Sequence, residues 1–348
     1  MTVGIGLVGC GTVGCGLLEL LGAKKDCLKG RYGVDFRLVF ATDAIKGTVF
    51  SKDGLNLGEL AAKLARDGNF HGADAERTAS NNINIKDLVG ESGISILCEA
   101  TPTNYKTGEP GMTIMKSALA SGANVVTSSK GALGLDMAGL KKLARDNGVQ
   151  IRFESSVMSG TPLINLIRGP LAGCSVTRVE GILNGTTNFI LTRMEEGLEY
   201  AEALAEAQKL GYAEADPTGD VEGFDAAVKV SILAGEVFRT RLDIEEVRRE
   251  GIMSVKPEDI RRAAARGAKI KLIAGAALDG GKVTGYVLPR EVESSDPLAS
   301  VSGVTNAVNI VTDNLGTISI IGPGAGKIQT AQGLISDMLN IASGIMWT

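Results

Sequence analysis

The sequence predicts an α/β fold class: an N-terminal doubly wound, mostly parallel sheet, followed by an α+β domain around a mixed sheet. Three observations predict it. Residues 3–8 form a short apolar run that breaks into Gly9-Cys10-Gly11-Thr12-Val13-Gly14, after which Leu17, Leu18, Leu20 and Leu21 recur at helical spacing. Up to about residue 150, apolar runs of strand length alternate with helical patterns, as βαβ units require. Beyond about 155 the alternation weakens, and two late strand-like runs joined by Asp313-Asn314-Leu315-Gly316 read as a hairpin.

In chain order, residues 36–41 read as the second strand, 55–66 as a helix and 94–98 as a strand. Residues 113–120 are helical, 125–127 a strand, 135–145 a helix closed by Gly148, and 150–153 a short strand. The second part carries helical patterns at 162–168, 188–196, 200–210 and 223–236. Its strand-like runs are 176–183, 270–276, 283–287, 307–312 and 317–321. Residues 327–342 are helical and follow Gly322-Pro323-Gly324-Ala325-Gly326. No internal repeat and no Pro/Ser-rich linker marks the boundary, which rests on the change of pattern.

Composition narrows the chemistry. The 348 residues include 46 glycines without a G-X-Y period, which implies many tight turns and close backbone approaches. A single histidine, His71, cannot build a His-rich metal site and leaves little room for Ser-His-Asp or Cys-His mechanisms. Aromatics make up 4% of the chain, too few for base-stacking platforms, and 36 Lys+Arg against 40 Asp+Glu gives net −4 without long runs of one sign. Nucleic-acid and anionic-membrane partners are therefore not expected. The N-terminal 21 residues lack a basic n-region and are broken by glycines, so they do not read as a signal peptide, and no run of 18 apolar residues exists. Five cysteines (Cys10, Cys15, Cys27, Cys98, Cys174) without a C-x-x-C pair read as reduced thiols of a cytoplasmic chain.

The G-x-G-x-x-G pattern is in the context that gives it meaning, after a strand and opening a helix. Gly9 makes the turn, Gly11 lets backbone approach a pyrophosphate, and Gly14 allows close helix–strand packing. The N–H groups of the helix start face the phosphates. Asp43 closes the second strand, where a carboxylate accepts from the ribose 2′-OH of NAD; Lys46 nearby offers a 2′-phosphate partner instead. In residues 211–229, Asp225 and Lys229 lie four apart on one helix face, beside the apolar stripe Val221, Phe224, Val228 and Ile232. Such a pair is commonly a surface ion pair. Here Glu214, Asp216 and Asp220 precede it in a Gly/Pro loop, an arrangement able to bind a substrate ammonium and hold a proton donor. Lys130, in Ser129-Lys130-Gly131, follows a strand at the carboxyl edge of the sheet, where such folds bind ligands, or is a solvated loop lysine.

Together these stretches resemble homoserine dehydrogenase over nearly the whole chain. The resemblance is carried by residues 9–14, by Ser129-Lys130-Gly131 and by residues 154–162 (Glu-Ser-Ser-Val-Met-Ser-Gly-Thr-Pro). Most specific are residues 181–191 (Gly-Ile-Leu-Asn-Gly-Thr-Thr-Asn-Phe-Ile-Leu) and 211–229. It implies a Rossmann-type dinucleotide-binding domain, 1–152 plus about 325–348, and a substrate-binding, catalytic and dimerisation domain, 153–324. The implied activity is the reversible reduction of L-aspartate 4-semialdehyde to L-homoserine with NADPH or NADH, in a homodimer. Lys130 and Lys229 would be the catalytic lysines, with Asp225 orienting Lys229. Glu214 and Asp220 would bind the substrate's polar groups, and Tyr212, Gly185 and Thr186 would line the site. Gly9, Cys10, Gly11, Thr12, Val13, Gly14, Asp43, Thr101, Lys130 and Gly326 would contact NAD or NADP. Glu154, Val157, Ser159 and Thr161 match positions that hold a monovalent cation, Na+ or K+, largely through backbone oxygens, which suit hard cations.

Two departures stand out. Ser129-Lys130 replaces the family's usual Asn-Lys, and the sequence stops at Thr348 without the appended regulatory domain of many members, so threonine feedback through such a domain is not expected. Two rival readings require different residues. Aspartate-semialdehyde dehydrogenase chemistry wants a cysteine nucleophile with a histidine base, and His71 is far from any cysteine in sequence. A non-catalytic dinucleotide sensor would need no paired lysines.

Overall fold

A computed structural model describes residues 1–79 and 84–346. The chain forms two compact units, Met1–Pro162 with Gly326–Thr348, and Leu163–Ala325. The first contains β1 (Thr2–Val8), α1 (Thr12–Tyr32), β2 (Asp35–Asp43), β3 (Gly47–Phe50), α2 (Leu57–Asp67), β4 (Arg77–Ala79) and α3 (Ile85–Ser92). It continues with β5 (Ile96–Glu99), α4 (Gly111–Ala120), β6 (Asn124–Thr127), α5 (Gly131–Asp146) and β7 (Ile151–Arg152). The second contains α6 (Ile164–Arg168), β8 (Val176–Ile182), α7 (Gly185–Glu195), α8 (Tyr200–Lys209), α9 (Thr218–Val221) and α10 (Phe224–Val237). After these come β9 (Arg248–Arg249), α11 (Pro257–Ala265), β10 (Ala268–Asp279), β11 (Lys282–Glu293), β12 (Thr305–Thr312) and β13 (Gly316–Pro323). The last helix, α12 (Lys327–Ala342), belongs to the first unit.

In the first unit seven strands run in the order β4-β3-β2-β1-β5-β6-β7. Strands β2, β1, β5, β6 and β7 are parallel, while β3 and β4 add an antiparallel edge beside β2. The chain leaves β1 on one side to form β2 and returns on the other as β5, so the order reverses between β1 and β5. In doubly wound sheets ligands bind outside the carboxyl ends of the strands at such a reversal. The core there is Ile5, Leu7, Leu17, Leu21, Leu38, Ile96 and Cys98, closed by Leu334 and Met338 of α12. A Cβ at Gly16 would run into the backbone of Lys327, so that glycine permits α12 to lie close against α1.

In the second unit the order is β13-β12-β8-β10-β11-β9. Every pair is antiparallel except β11–β9, which makes the sheet mixed. Strands β10 and β11 extend well beyond the expected 270–276 and 283–287 and join through Gly280-Gly281 (φ 54° and 81°) as one long hairpin. The β12–β13 hairpin forms across residues 313–315.

Sequence reading missed β3, β4, α3, α9, β9 and α11, nearly all of them short or without a clean alternation. The unit boundary falls after Pro162, not at 152. Residues 153–161 stay with the first unit because α12 holds them: Ser155 Oγ donates to the Thr330 carbonyl at 2.8 Å, and the Glu154 amide donates to Asp337 Oδ2 at 2.8 Å.

Candidate functional site

The turn after β1 is built by backbone constraints. Gly9 has φ +90°, and a Cβ there would meet the Ala100 carbonyl beyond β5; a Cβ at Gly14 would overlap the Gly9 carbonyl. Both glycines are therefore demanded by the fold. Gly11 is not: its φ is −72°, open to any residue, and a Cβ there would meet nothing within 4 Å. The fold gives no reason for a bare backbone at Gly11; a ligand lying on the turn does. Gly11 caps α1 without a side chain, so the first-turn amides of Thr12, Val13 and Gly14 are left for an anion.

Asp43, at the end of β2, binds this turn. Its Oδ2 accepts from the Cys10 amide at 2.8 Å, and its Oδ1 accepts from the amides of Ile45 at 2.9 Å and Lys46 at 3.1 Å. Burial pushes the carboxyl's pKa up, but these three bonds and the Lys46 charge outweigh it and hold the group below the ordinary aspartate value. Lys46 Nζ donates to the Cys10 carbonyl at 2.6 Å. Thr101 follows β5 next to Gly9, and Gly326 opens α12 with φ +128°. The half-buried Lys130 caps α5, its amide donating to Thr103 Oγ1 at 3.3 Å. A Cβ at Gly131 would overlap the Asn104 carbonyl, which fixes where the loop turns into α5.

In the second unit α10 is buried along nearly its whole length, and the Asp225–Lys229 pair is part of that burial, at 7% and 6% exposure. The surface ion-pair reading is thereby excluded. Lys229 Nζ lies 2.8 Å from Asp225 Oδ2 and donates to the Leu183 carbonyl, just past β8, at 2.6 Å. Asn184, to which sequence reading gave no role, links the cluster: its Nδ2 donates to Asp220 Oδ1 at 2.7 Å and to Asp225 Oδ2 at 3.2 Å. Its Oδ1 caps α7 by accepting the Thr187 amide at 2.9 Å. An Asn immediately before a helical pattern was the available signal, and it pointed only to the cap.

Gly185 and Thr186 begin α7, and Thr186 Oγ1 donates to the Tyr212 carbonyl at 2.7 Å. The Tyr212 ring meets Phe189 edge-on at 5.0 Å. Gly185, Thr186, Tyr212, Asp220, Asp225 and Lys229 thus fall in one hydrogen-bonded neighbourhood. Glu214 lies on the same 211–217 loop, exposed and with no side-chain partner among the described residues.

The 154–161 loop is buried. Glu154, Val157, Ser159 and Thr161 are 1%, 1%, 3% and 7% exposed, and Ser159 has φ +56°. Ser159 Oγ pairs with Thr330 Oγ1 at 2.8 Å. No donor among the described residues reaches the carbonyls of Val157 or Ser159.

Cys10 and Cys98 do not support cysteine chemistry. Burial pushes the Cys98 pKa up to about 12 and raises that of Cys10, and His71 is exposed in a turn. No helix among the described residues is long and apolar enough to cross a membrane.

Residues 162–339 match the homoserine dehydrogenase family model. The NAD(+)-dependent homoserine dehydrogenase of Pseudomonas canavaninivorans is 43% identical over 343 residues, 97% of this chain and 95% of that protein. The structure of a putative homoserine dehydrogenase from Archaeoglobus fulgidus superposes with a TM-score of 0.87 at 36% identity, covering 97% of this chain and 99% of that one. A hyperthermophilic archaeal homoserine dehydrogenase in complex with NADPH gives 0.85 at 32% identity, with 99% of both chains covered. The similarity extends over 97% of the chain, and on that breadth the chain belongs to the homoserine dehydrogenase family.

Proposed function

We propose that Lys229 and Lys130 carry the NAD(P)-dependent interconversion of L-aspartate 4-semialdehyde and L-homoserine, the activity of the family. The observation that carries the residue assignment is the buried Lys229–Asp225–Asn184–Asp220 network. Bound NAD(P)H supplies the hydride. As negative charge grows on the aldehyde oxygen, the Lys229 ammonium stabilises it and delivers a proton from Nζ. Asp225 and the Leu183 carbonyl orient that ammonium, since together they take two of its three N–H bonds. Lys130 is assigned as the second catalytic lysine. Glu214 and Asp220 receive the substrate's α-ammonium, with Thr186, Gly185 and Tyr212 lining the pocket. The test is homoserine-dependent reduction of NAD+ and NADP+ followed in parallel by absorbance. No change with either cofactor would overturn the reading.

The cofactor is held by the 9–14 turn with Asp43, Thr101, Lys130 and Gly326. Asp43 favours NAD, because its carboxylate accepts from a ribose hydroxyl and repels a 2′-phosphate, while Lys46 is engaged with the Cys10 carbonyl. The parallel assay therefore also predicts a higher kcat/KM with NAD+ than with NADP+. Gly11→Ala is expected to leave the melting temperature unchanged and to raise the NAD(P)H dissociation constant by roughly tenfold, ~1.4 kcal/mol, in a fluorescence titration.

The buried, donor-free carbonyls of Val157 and Ser159 fit a monovalent cation, with Glu154 and Thr161 completing the set. Such an ion would stiffen the 154–161 loop. A homodimer is assigned to the chain through its family, and β13 suits it as an edge strand with one side unpaired and Ile321 52% exposed. Light scattering is expected to report twice 36.1 kDa. The cytoplasm is the proposed compartment, in keeping with five free cysteines.

A further inference from the structure

Glu99 is the last residue of β5, is fully buried, and faces no cation among the described residues that bond to it. Oε1 accepts the Thr101 amide at 2.9 Å and the Thr101 hydroxyl; Oε2 accepts the Thr127 hydroxyl at 2.5 Å. Thr127 Oγ1 in turn accepts the Ser129 amide at 2.9 Å, one residue before Lys130. The backbone makes the same connection, because the Ser128 amide donates to the Glu99 carbonyl at 3.2 Å. A carboxyl placed here without an ion pair is a costly way to fill space, since burying an ionisable group is unfavourable and an apolar side chain would pack more cheaply.

What a carboxylate does that no neutral side chain does is accept on both oxygens. That polarity obliges the hydroxyls of Thr101 and Thr127 to donate inwards. Thr127 then has its lone pairs directed at the Ser129 amide, and the 127–130 loop has one register. We propose that Glu99 is the positioning residue of Lys130, fixing through Thr127 where the lysine leaves the end of β6 and through Thr101 where the loop after β5 meets the cofactor turn. The proposal rests on the assignment of Lys130 as a catalytic lysine.

The test uses the full-length enzyme with Glu99→Gln, Thr127→Val, their double variant and Lys130→Ala. Gln keeps the volume but turns one acceptor into a donor; Val keeps the shape of Thr127 and removes the middle link. Glu99→Gln and Thr127→Val should each lower kcat by roughly 10- to 100-fold, as a misplacement of about 1 Å can. The KM for homoserine should stay within about twofold, and the double variant should be no worse than the poorer single one, because both act along one chain of bonds. Glu99→Asp, which keeps both acceptors, should recover part of the loss. The proposal falls if folded Glu99→Gln turns over like the parent, if the KM for homoserine rises as far as kcat falls, or if the two losses multiply. Should Glu99→Gln fail to fold, Thr127→Val alone decides, and wild-type kcat in it overturns the proposal. Lys130→Ala keeps the two failures apart: full activity there rejects the lysine assignment itself, whereas loss there with an intact Glu99→Gln rejects only the role of Glu99.

Discussion

Lys229→Ala is expected to lower kcat for homoserine oxidation by roughly 10³-fold, ~4 kcal/mol of transition-state stabilisation, while NAD(P)H still binds. The size follows from the position of the ammonium. It is buried and already oriented by Asp225 and the Leu183 carbonyl, so its charge acts in a medium of low dielectric and needs no reorganisation as the oxygen becomes anionic. The same burial complicates the single variant. Removing the lysine takes the cation at 2.8 Å away from the buried Asp225 carboxylate, and uncompensated buried charges commonly cost ~3–5 kcal/mol. The decisive comparison is therefore with Lys229→Met/Asp225→Asn, in which the charge pair is replaced by neutral groups of similar size. That protein should recover most of the thermal stability and none of the turnover. If it retains near-wild-type kcat, Lys229 is a structural lysine and the mechanism is wrong.

How much of this was open to sequence reading depended on whether the determinant was local. The glycine turn was legible because Gly9 and Gly14 each have a backbone reason and Gly11 has a ligand's, and the strand and helix flanking them supply the context. The Asp225–Lys229 pair was legible as an i,i+4 spacing, but its burial was not, since that depends on β10 and β11 packing on α10. Glu99 gave only a weak signal: a carboxyl ending the apolar run Ile96–Cys98, in a parallel strand buried on both faces. Its partners Thr101 and Thr127 come together with it because β5 and β6 are neighbours in register, Glu99 opposite Thr127. Helix α11 shows the opposite case. Pro257 at its start and Glu258 and Asp259 in its first turn are ordinary helix-start signals that could have been read.

The largest stability effect is expected at Glu195. Lys271, in the first third of β10, has a side chain with no exposure, and its Nζ lies 2.9 Å from Glu195 Oε1 at the end of α7; Lys269 approaches Oε2 at 3.1 Å. Burial lowers the Lys271 pKa below the ordinary lysine value, and Glu195 is the group that opposes this. Glu195→Ala should destabilise the second unit by ~3–5 kcal/mol. At about 2–4 °C per kcal/mol for a unit of this size, the melting temperature should fall by about 10 °C. The pH dependence has a definite sign. A lysine with a lowered pKa binds fewer protons folded than unfolded, so stability gains as pH rises from the lowered folded value towards the ordinary 10.5. Without Glu195 the folded value drops further and that gain begins at lower pH. Lys271→Met/Glu195→Leu removes both charges and should return the melting temperature to near the parent's. The consequence reaches the site, because α7 is pinned at one end by this pair and begins at the other with Gly185 and Thr186, capped by Asn184. Over eleven residues, ~16 Å of helix, a freed C-terminal end tilts the N-terminal one, so Glu195→Ala should also raise the KM for homoserine below its melting temperature, and the neutral double variant should not. An unchanged melting temperature in Glu195→Ala, or a stability deficit that grows with alkaline pH, would overturn this account.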